Sequence, residues 1–284
     1  MFTKSTLFKN IWLDNQLGIS FVYALNIIEE ICYVLIPAAV GMLINTFLTG
    51  QGWGIAAFSA AYLGWQGIAT MRKIYDTRIF TKVYNQIAMQ TIEHHKAENI
   101  EIGKINARIE LLKQVVGFFE NDLPYLIGSV VMMFGSAGLL YFYNPQLLLV
   151  CLLVIVPSMC INYFFGKKMV AVTKLVNDKY EEQLETIETK QVPDIQLYMN
   201  EVRLLNIKKS NLEAYNFGLL ELFVFVMIMV SIYVICKTPN INYGDIVATY
   251  GYILRFAYSF DFIPHLTERL ASMNDIQDRL EDVF

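Results

Sequence analysis

Ionisable side chains stand in or beside stretches otherwise apolar enough to cross a bilayer, and chemistry is sought there first. Glu29 and Glu30 are adjacent in "LNIIEEICYVLIPAAVGMLINTF", and Glu221 opens an uncharged run, Leu222 to Cys236, that is too short to span alone. Arg255 lies ten residues beyond Asp245, about 15 Å into its segment at 1.5 Å per residue. Asp261 and His265 follow at i,i+4, on one helical face. Charges in lipid cost several kcal/mol unless they face a bundle interior or a wet cavity, so each is a functional candidate. Two roles are open. Arg255 pairs with a carboxylate, which Glu29, Glu30 or Glu221 can supply, or the group forms a substrate or proton site. Adjacent glutamates diverge by about 100° on a helix, so one faces the cavity while the other packs on a neighbour. Their depth has two readings as well. Residues 31–48 are uncharged and nearly long enough to span, which leaves the pair at the inner interface; residues 16–28 are also uncharged, which sinks it into the inner leaflet.

The elements that position these groups follow from composition. The chain has 284 residues, 55% hydrophobic and 17% charged, with mean hydropathy +0.41, well on the apolar side of a soluble domain. Net charge is −4, which gives nucleic acid no basic footprint to bind. No cleavable leader is expected, because the first apolar stretch is too long and lacks a small-residue cleavage site. Cys32, Cys151, Cys160 and Cys236 fall in apolar runs without paired spacing and read as small buried hydrophobes.

Apolar runs of about 20 residues occur near 21–48, 54–71, 121–143, 146–166, 216–236 and 244–263. Short turns ("TGQG", "YNP", "KTPNIN") alternate with two long charged connections, from Arg72 to Glu120 and from Lys167 to Tyr215. Lys4 and Lys9 precede the first span, eight basic residues lie in each long connection, and Arg269 and Arg279 follow the last span; Lys237 alone is on the opposite face. The positive-inside bias therefore puts both termini and both long connections in the cytoplasm.

Those connections read as helices, not loops. "MRKIYDTRIFTKVYNQIAMQTIEHH" has no Gly or Pro and carries Ile74, Ile79, Val83 and Ile87 at helical spacing, so span two should run on into the cytosol. "KINARIELLKQVVGFFENDLP" should do the same in reverse, weakened at Gly117. The second connection repeats the plan. Two helical hairpins should thus reach about 30 Å beneath the membrane, turning near 92–103 and 190–199. His94 and His95, at the first tip, diverge by about 100° and make a poor metal pair. Asp178, Glu181, Glu182, Glu185 and Glu188 read as a solvated face, and "FTKSTLFKNIW" as a short helix on the inner leaflet. The aromatic residues of spans five and six, among them Phe223, Tyr252, Phe256 and Tyr258, read as packing or lipid contact ahead of a cavity lining.

Six spans, short outer turns and two deep hairpins resemble the transmembrane domain of ABC exporters. "PAAVGMLINTFLTG" is similar to that family's first helix and outer turn, "GKINARI" to the glycine, apolar pair and arginine opening its third helix. "NPQLLLVCLLVIVPSMCINYFFGKKM" resembles its fourth helix, "NYGDIVATYGYI" the start of its sixth, and "ASMNDIQDRLEDVF" the helix leading to a nucleotide-binding domain. One departure is Leu112, where members usually carry an acidic residue nine positions after the third-helix glycine; Glu110 stands two residues earlier. The other is that the sequence contains no G-x-x-x-x-G-K-[ST] to cradle phosphates.

The resemblance implies an all-α membrane protein, with residues 1–284 as one transmembrane domain without a nucleotide-binding domain. It further implies a subunit working as a homodimer in the plasma (inner) membrane, by alternating access. ATP would act through a separately encoded ATPase, docked on tip residues such as His94, His95, Asn99, Asp194 and Gln196. The chain itself is expected to be no enzyme and to hold no cofactor or metal. Glu29, Glu30, Glu221, Arg255 and Asp261 are the substrate, proton or ion-pair candidates. Two alternatives stand beside this reading: a proton-driven peptide transporter of the same fold, and a non-transporting scaffold or regulator.

Overall fold

The computed structural model describes residues 15–97, 102–189, 191–259, 269–270, 273 and 276. These are nearly all helical, and no strand occurs among the described residues. The helices are α1 (Gln16–Leu48), α2 (Trp53–Ala97), α3 (Ile102–Gly117), α4 (Leu123–Tyr143), α5 (Pro145–Thr189), α6 (Val192–Lys237) and α7 (Tyr243–Tyr258), with a five-residue π-helical turn, Phe118–Asp122, between α3 and α4.

The absence of Gly and Pro after span two has the expected consequence: α2 is one helix of 45 residues. At 1.5 Å per residue it is about 68 Å long, more than twice the roughly 30 Å hydrocarbon thickness. Helices α5 and α6, with 45 and 46 residues, are as long. Pro157 lies inside α5 without ending it. Among the described residues, four stretches are long and apolar enough to cross a membrane: Gln16–Leu48, Arg108–Tyr143, Pro145–Tyr180 and Val192–Lys237. The expected second span is the upper part of the mixed helix α2, and α7 supplies 16 described residues of the expected sixth.

One expectation is refined and one corrected. The helix expected to be weakened at Gly117 stays helical there, with φ −58° and ψ −34°, and the chain then widens into the π turn. The second hairpin tip is also tighter than 190–199. Helix α6 begins at Val192, with Pro193 in its first turn and the Asp194 backbone N–H bonded to the Gln191 carbonyl at 3.0 Å. A proline near a helix start loses a bond that position lacks anyway. Asp194 and Gln196 are therefore exposed helical residues and not part of a separate turning element.

Helix α1 packs along α2, α4 and α7, whereas α5 and α6 pack chiefly on each other and meet the rest through α4 and α7. Two buried clusters result. The lower one joins Ile19 and Val22 of α1, Phe80 and Val83 of α2, Leu112 and Val115 of α3, and Met273 and Ile276. Leu112 is fully buried there, so the residue that departs from the exporter pattern is a packing residue. The upper cluster includes Leu140, Leu147, Met227, Tyr252 and Phe256. All four cysteines are free, but only Cys151 is buried; Cys160 and Cys236 are exposed and Cys32 is intermediate.

At the outer end, Gly41 and Gly244 let α1 and α7 cross backbone to backbone: a Cβ on Gly41 would lie 2.6 Å from the Gly244 carbonyl oxygen. The Asn45 side chain then spans the crossing, accepting from the Gly244 backbone N–H at 2.8 Å and donating to Asp245 at 3.2 Å. Deeper in, Pro37 interrupts the α1 ladder, and the Ala38 N–H donates to the Tyr252 hydroxyl of α7 at 3.1 Å.

A buried charge cluster as the candidate functional site

The two opening glutamates diverge as helical geometry requires. Glu29 is buried and in direct contact with Arg72 of α2, whose guanidinium also reaches Asp76 at 3.5 Å. Glu30 turns towards α4, where a Cβ on Gly128 would stand 2.7 Å from its carboxylate oxygen. The glycine makes room for the acid.

This arrangement corrects the expected pairing of Arg255. Among the described residues no carboxylate lies within ion-pair distance of it. Its guanidinium instead sits over the Tyr33 ring, 4.3 Å from the centroid, and Tyr33 stacks on Trp65 of α2 at 5.0 Å. A cation over an aromatic face is attracted by the ring quadrupole, which compensates the charge without a carboxylate. Arg255 Nε remains buried without a hydrogen-bond partner. Glu221 is half-buried on α6 and is not brought to Arg255 by an ion pair. Of the aromatic residues, Tyr252 and Phe256 are packing, almost fully buried, while Tyr258 is exposed. Asp261, His265 and Asn99, as well as the inner-leaflet helix expected before Asn15, lie outside the described residues. The backbone places His94 and His95 at the end of α2.

The cluster is larger than the glutamates alone implied. A cavity of about 380 Å³ opens between α1, α2 and the π turn, lined by Asn26, Glu30, Arg72, Asp76, Glu120 and Asp122 among others. The π turn aims it. A π bulge shifts side chains out of the regular helical register and recurs at functional sites; here it puts Glu120 and Asp122 on the cavity. Two ties hold that turn. The Tyr23 hydroxyl of α1 donates to the Phe119 carbonyl at 3.0 Å, and Arg269 Nε donates to Asp122 at 2.9 Å.

Energetically the cluster is demanding. Glu29 and Arg72 are both largely buried, and removing one partner of such a pair strands a buried charge at a cost of about 3–5 kcal/mol. Asp76 is the most unusual member. It lies five residues beyond the expected end of span two, is 2% exposed, and has one carboxylate oxygen without a partner. Burial pushes its carboxyl up to about 6; Arg72 pulls the other way, and Glu120 and Glu29 add to the rise.

Sequence reasoning placed Arg72 and Glu120 at the edges of a cytosolic connection and did not join them to the glutamates. A signal was present. Glu29 lies twenty residues before the outer turn that starts at Thr49, and Arg72 twenty residues after the turn ends at Gly52. Equal count from a shared hairpin means equal depth on two antiparallel helices.

Comparison with curated proteins returns no match. The family model for the ABC transporter transmembrane region matches residues 8–244, most of the chain and every described helix through α6. With its near-continuous helical architecture, long hairpin helices and buried charge cluster, this protein belongs to the ABC transporter transmembrane-region family.

Proposed function

We propose that the protein is the membrane-spanning subunit of an ABC-type exporter, working as a homodimer by alternating access and energised by a separately encoded ATPase. One observation carries the dimer. The α5–α6 hairpin packs mainly on itself and leaves large apolar side chains uncovered, such as Leu153 at 74% and Phe164 at 66% exposure. Exposed apolar area on this scale marks a membrane or protein contact. Lipid covers part of it, and a second copy would cover the face that closes a shared cavity.

ATP acts through the partner subunit, docked on the hairpin tips, with His94 and His95 in the last turn of α2, Asp194 and Gln196 near the start of α6 and Asn99 beyond α2. The chain itself performs no catalysis in this reading. Glu30 and Arg255 are the groups offered to substrate, with Glu29 holding Arg72 in place and Glu221 and Asp261 as further candidates. The location is the plasma (inner) membrane, both termini cytoplasmic.

A second reading, proton-driven transport on the same fold, is favoured by the buried Asp76 carboxyl, which burial pushes up to about 6. It predicts transport that collapses with a protonophore. The deciding experiment is gentle purification from the native membrane and mass spectrometry of intact complexes. Two of these chains with a stoichiometric ATPase supports the exporter reading. A bare assembly that stays free of ATPase after crosslinking overturns it in favour of proton coupling or a non-transporting scaffold, which the protonophore test separates.

A further inference from the structure

We propose that the cavity between α1, α2 and the π turn binds a cation carrying N–H donors, a primary ammonium or a guanidinium group. The inference stands on the cavity and does not need the transport reading.

The donors and acceptors facing the cavity do not balance. Asn26 and Asp76 line it, both are 2% exposed, and the Oδ1 atom of each is buried without a hydrogen-bond partner. Buried polar atoms are almost always satisfied, so two orphaned acceptors in one cavity call for a donor from outside the chain. Charge points the same way. Arg72 is shared between Glu29 and Asp76, Arg269 is held by Asp122, and Lys73, exposed at the cavity rim, is one further cation on the lining. Glu30 and Glu120 also face the cavity, and among the described residues neither has a hydrogen bond or ion pair of its own, so the one cation does not balance the two acids. The cavity therefore presents surplus negative charge and surplus acceptors together.

Its geometry selects the kind of cation. Metal ions need several oxygen or nitrogen ligands converging at about 2.0–2.6 Å. Among the described residues no three His, Cys, Asp or Glu groups converge in that way. Acceptors spread around about 380 Å³ are instead spaced for an ion that reaches them through its own N–H groups, at hydrogen-bond distances of about 2.8–3.0 Å. A small alkyl ammonium or guanidinium fits that volume with water to spare.

The test uses the full-length protein purified in detergent, with agmatine as probe and tetramethylammonium, a cation without N–H donors, as control at equal ionic strength. Calorimetric titration should show saturable agmatine binding, weakened at least tenfold by both Asp76→Asn and Glu120→Gln. Glu120 is only half-buried, so its variant keeps the test usable if Asp76→Asn folds poorly. Tetramethylammonium should bind at least tenfold more weakly. Absence of saturable heat, equal binding of the two cations, or undiminished binding in Glu120→Gln would each overturn the proposal and leave a cavity filled by water alone.

Discussion

Asp76 carries the clearest consequence at the level of single residues, because it is a carboxylate the fold holds in its less natural form. Its carboxyl rises from 3.8 to about 6 on folding, so the native chain binds a proton more tightly than the unfolded chain. Stability is then greatest at low pH and falls as pH rises from about 4 to about 6, the reverse of a salt-bridged acid. Asp76→Asn should remove that dependence. Thermal unfolding in detergent should find the variant several degrees more stable than the parent at pH 8, with the gap closing by pH 4. A gap that widens at low pH would mean that the Arg72 contact, not burial, governs Asp76. Arg255 teaches a related point: an embedded cation needs compensation, and a tyrosine face supplies part of it where no carboxylate makes an ion pair among the described residues. Residue type in the sequence sets the demand and leaves open which neighbour meets it.

Among the elements, the α1–α7 crossing is the most sharply specified. A Cβ on Gly244 would collide with the Gly41 carbonyl oxygen and lie 2.6 Å from Asn45 Oδ1, both on α1. Small residues at such positions let membrane helices approach closely. Gly244→Ala should therefore cost about 1–3 kcal/mol, as overpacking does, read as a lower unfolding midpoint. Gly64→Ala on α2, where nothing lies within 4 Å, should be neutral or stabilising by roughly 0.5–1 kcal/mol. Equal effects of the two would show that the crossing tolerates expansion.

The same helices mark what was legible beforehand. Unbroken apolar periodicity announced α2, and the "YNP" turn was legible between spans, where Asn144 Oδ1 accepts from the Gln146 N–H at 2.9 Å while Pro145 opens α5. The π turn was not legible, since "GFFENDLP" satisfies α and π windings alike and tertiary ties through Tyr23 and Arg269 accompany the choice. The site was half legible. Depth could be counted along each helix, but which faces meet is set by packing, so Glu29 found Arg72 and not Arg255.

For the whole molecule, orientation is the property that every functional statement presupposes. In the proposed orientation, the basic bias places the long hairpins on the cytoplasmic side. In a background without the four native cysteines, Gln51→Cys in the first outer turn should react with a membrane-impermeant maleimide in intact cells, and Asp178→Cys on α5 only after permeabilisation. Reversed labelling would invert the topology and move the charge cluster to the outer leaflet.

The glycine crossing also has a mechanical meaning. Fixed at the outer end by two abutting backbones and the Asn45 clamp, α1 and α7 share a fulcrum there, and the helices packed along them are arms extending from it. A swing of about 5° at the outer turn carries the end of a helix about 60 Å away through about 5 Å, roughly one helical turn. Little motion is thus needed near the fulcrum to produce a large stroke in the cytoplasm, and a stroke imposed there returns to the outer leaflet much reduced. The charge cluster lies part-way along the arm, where such a swing would open or close its cavity.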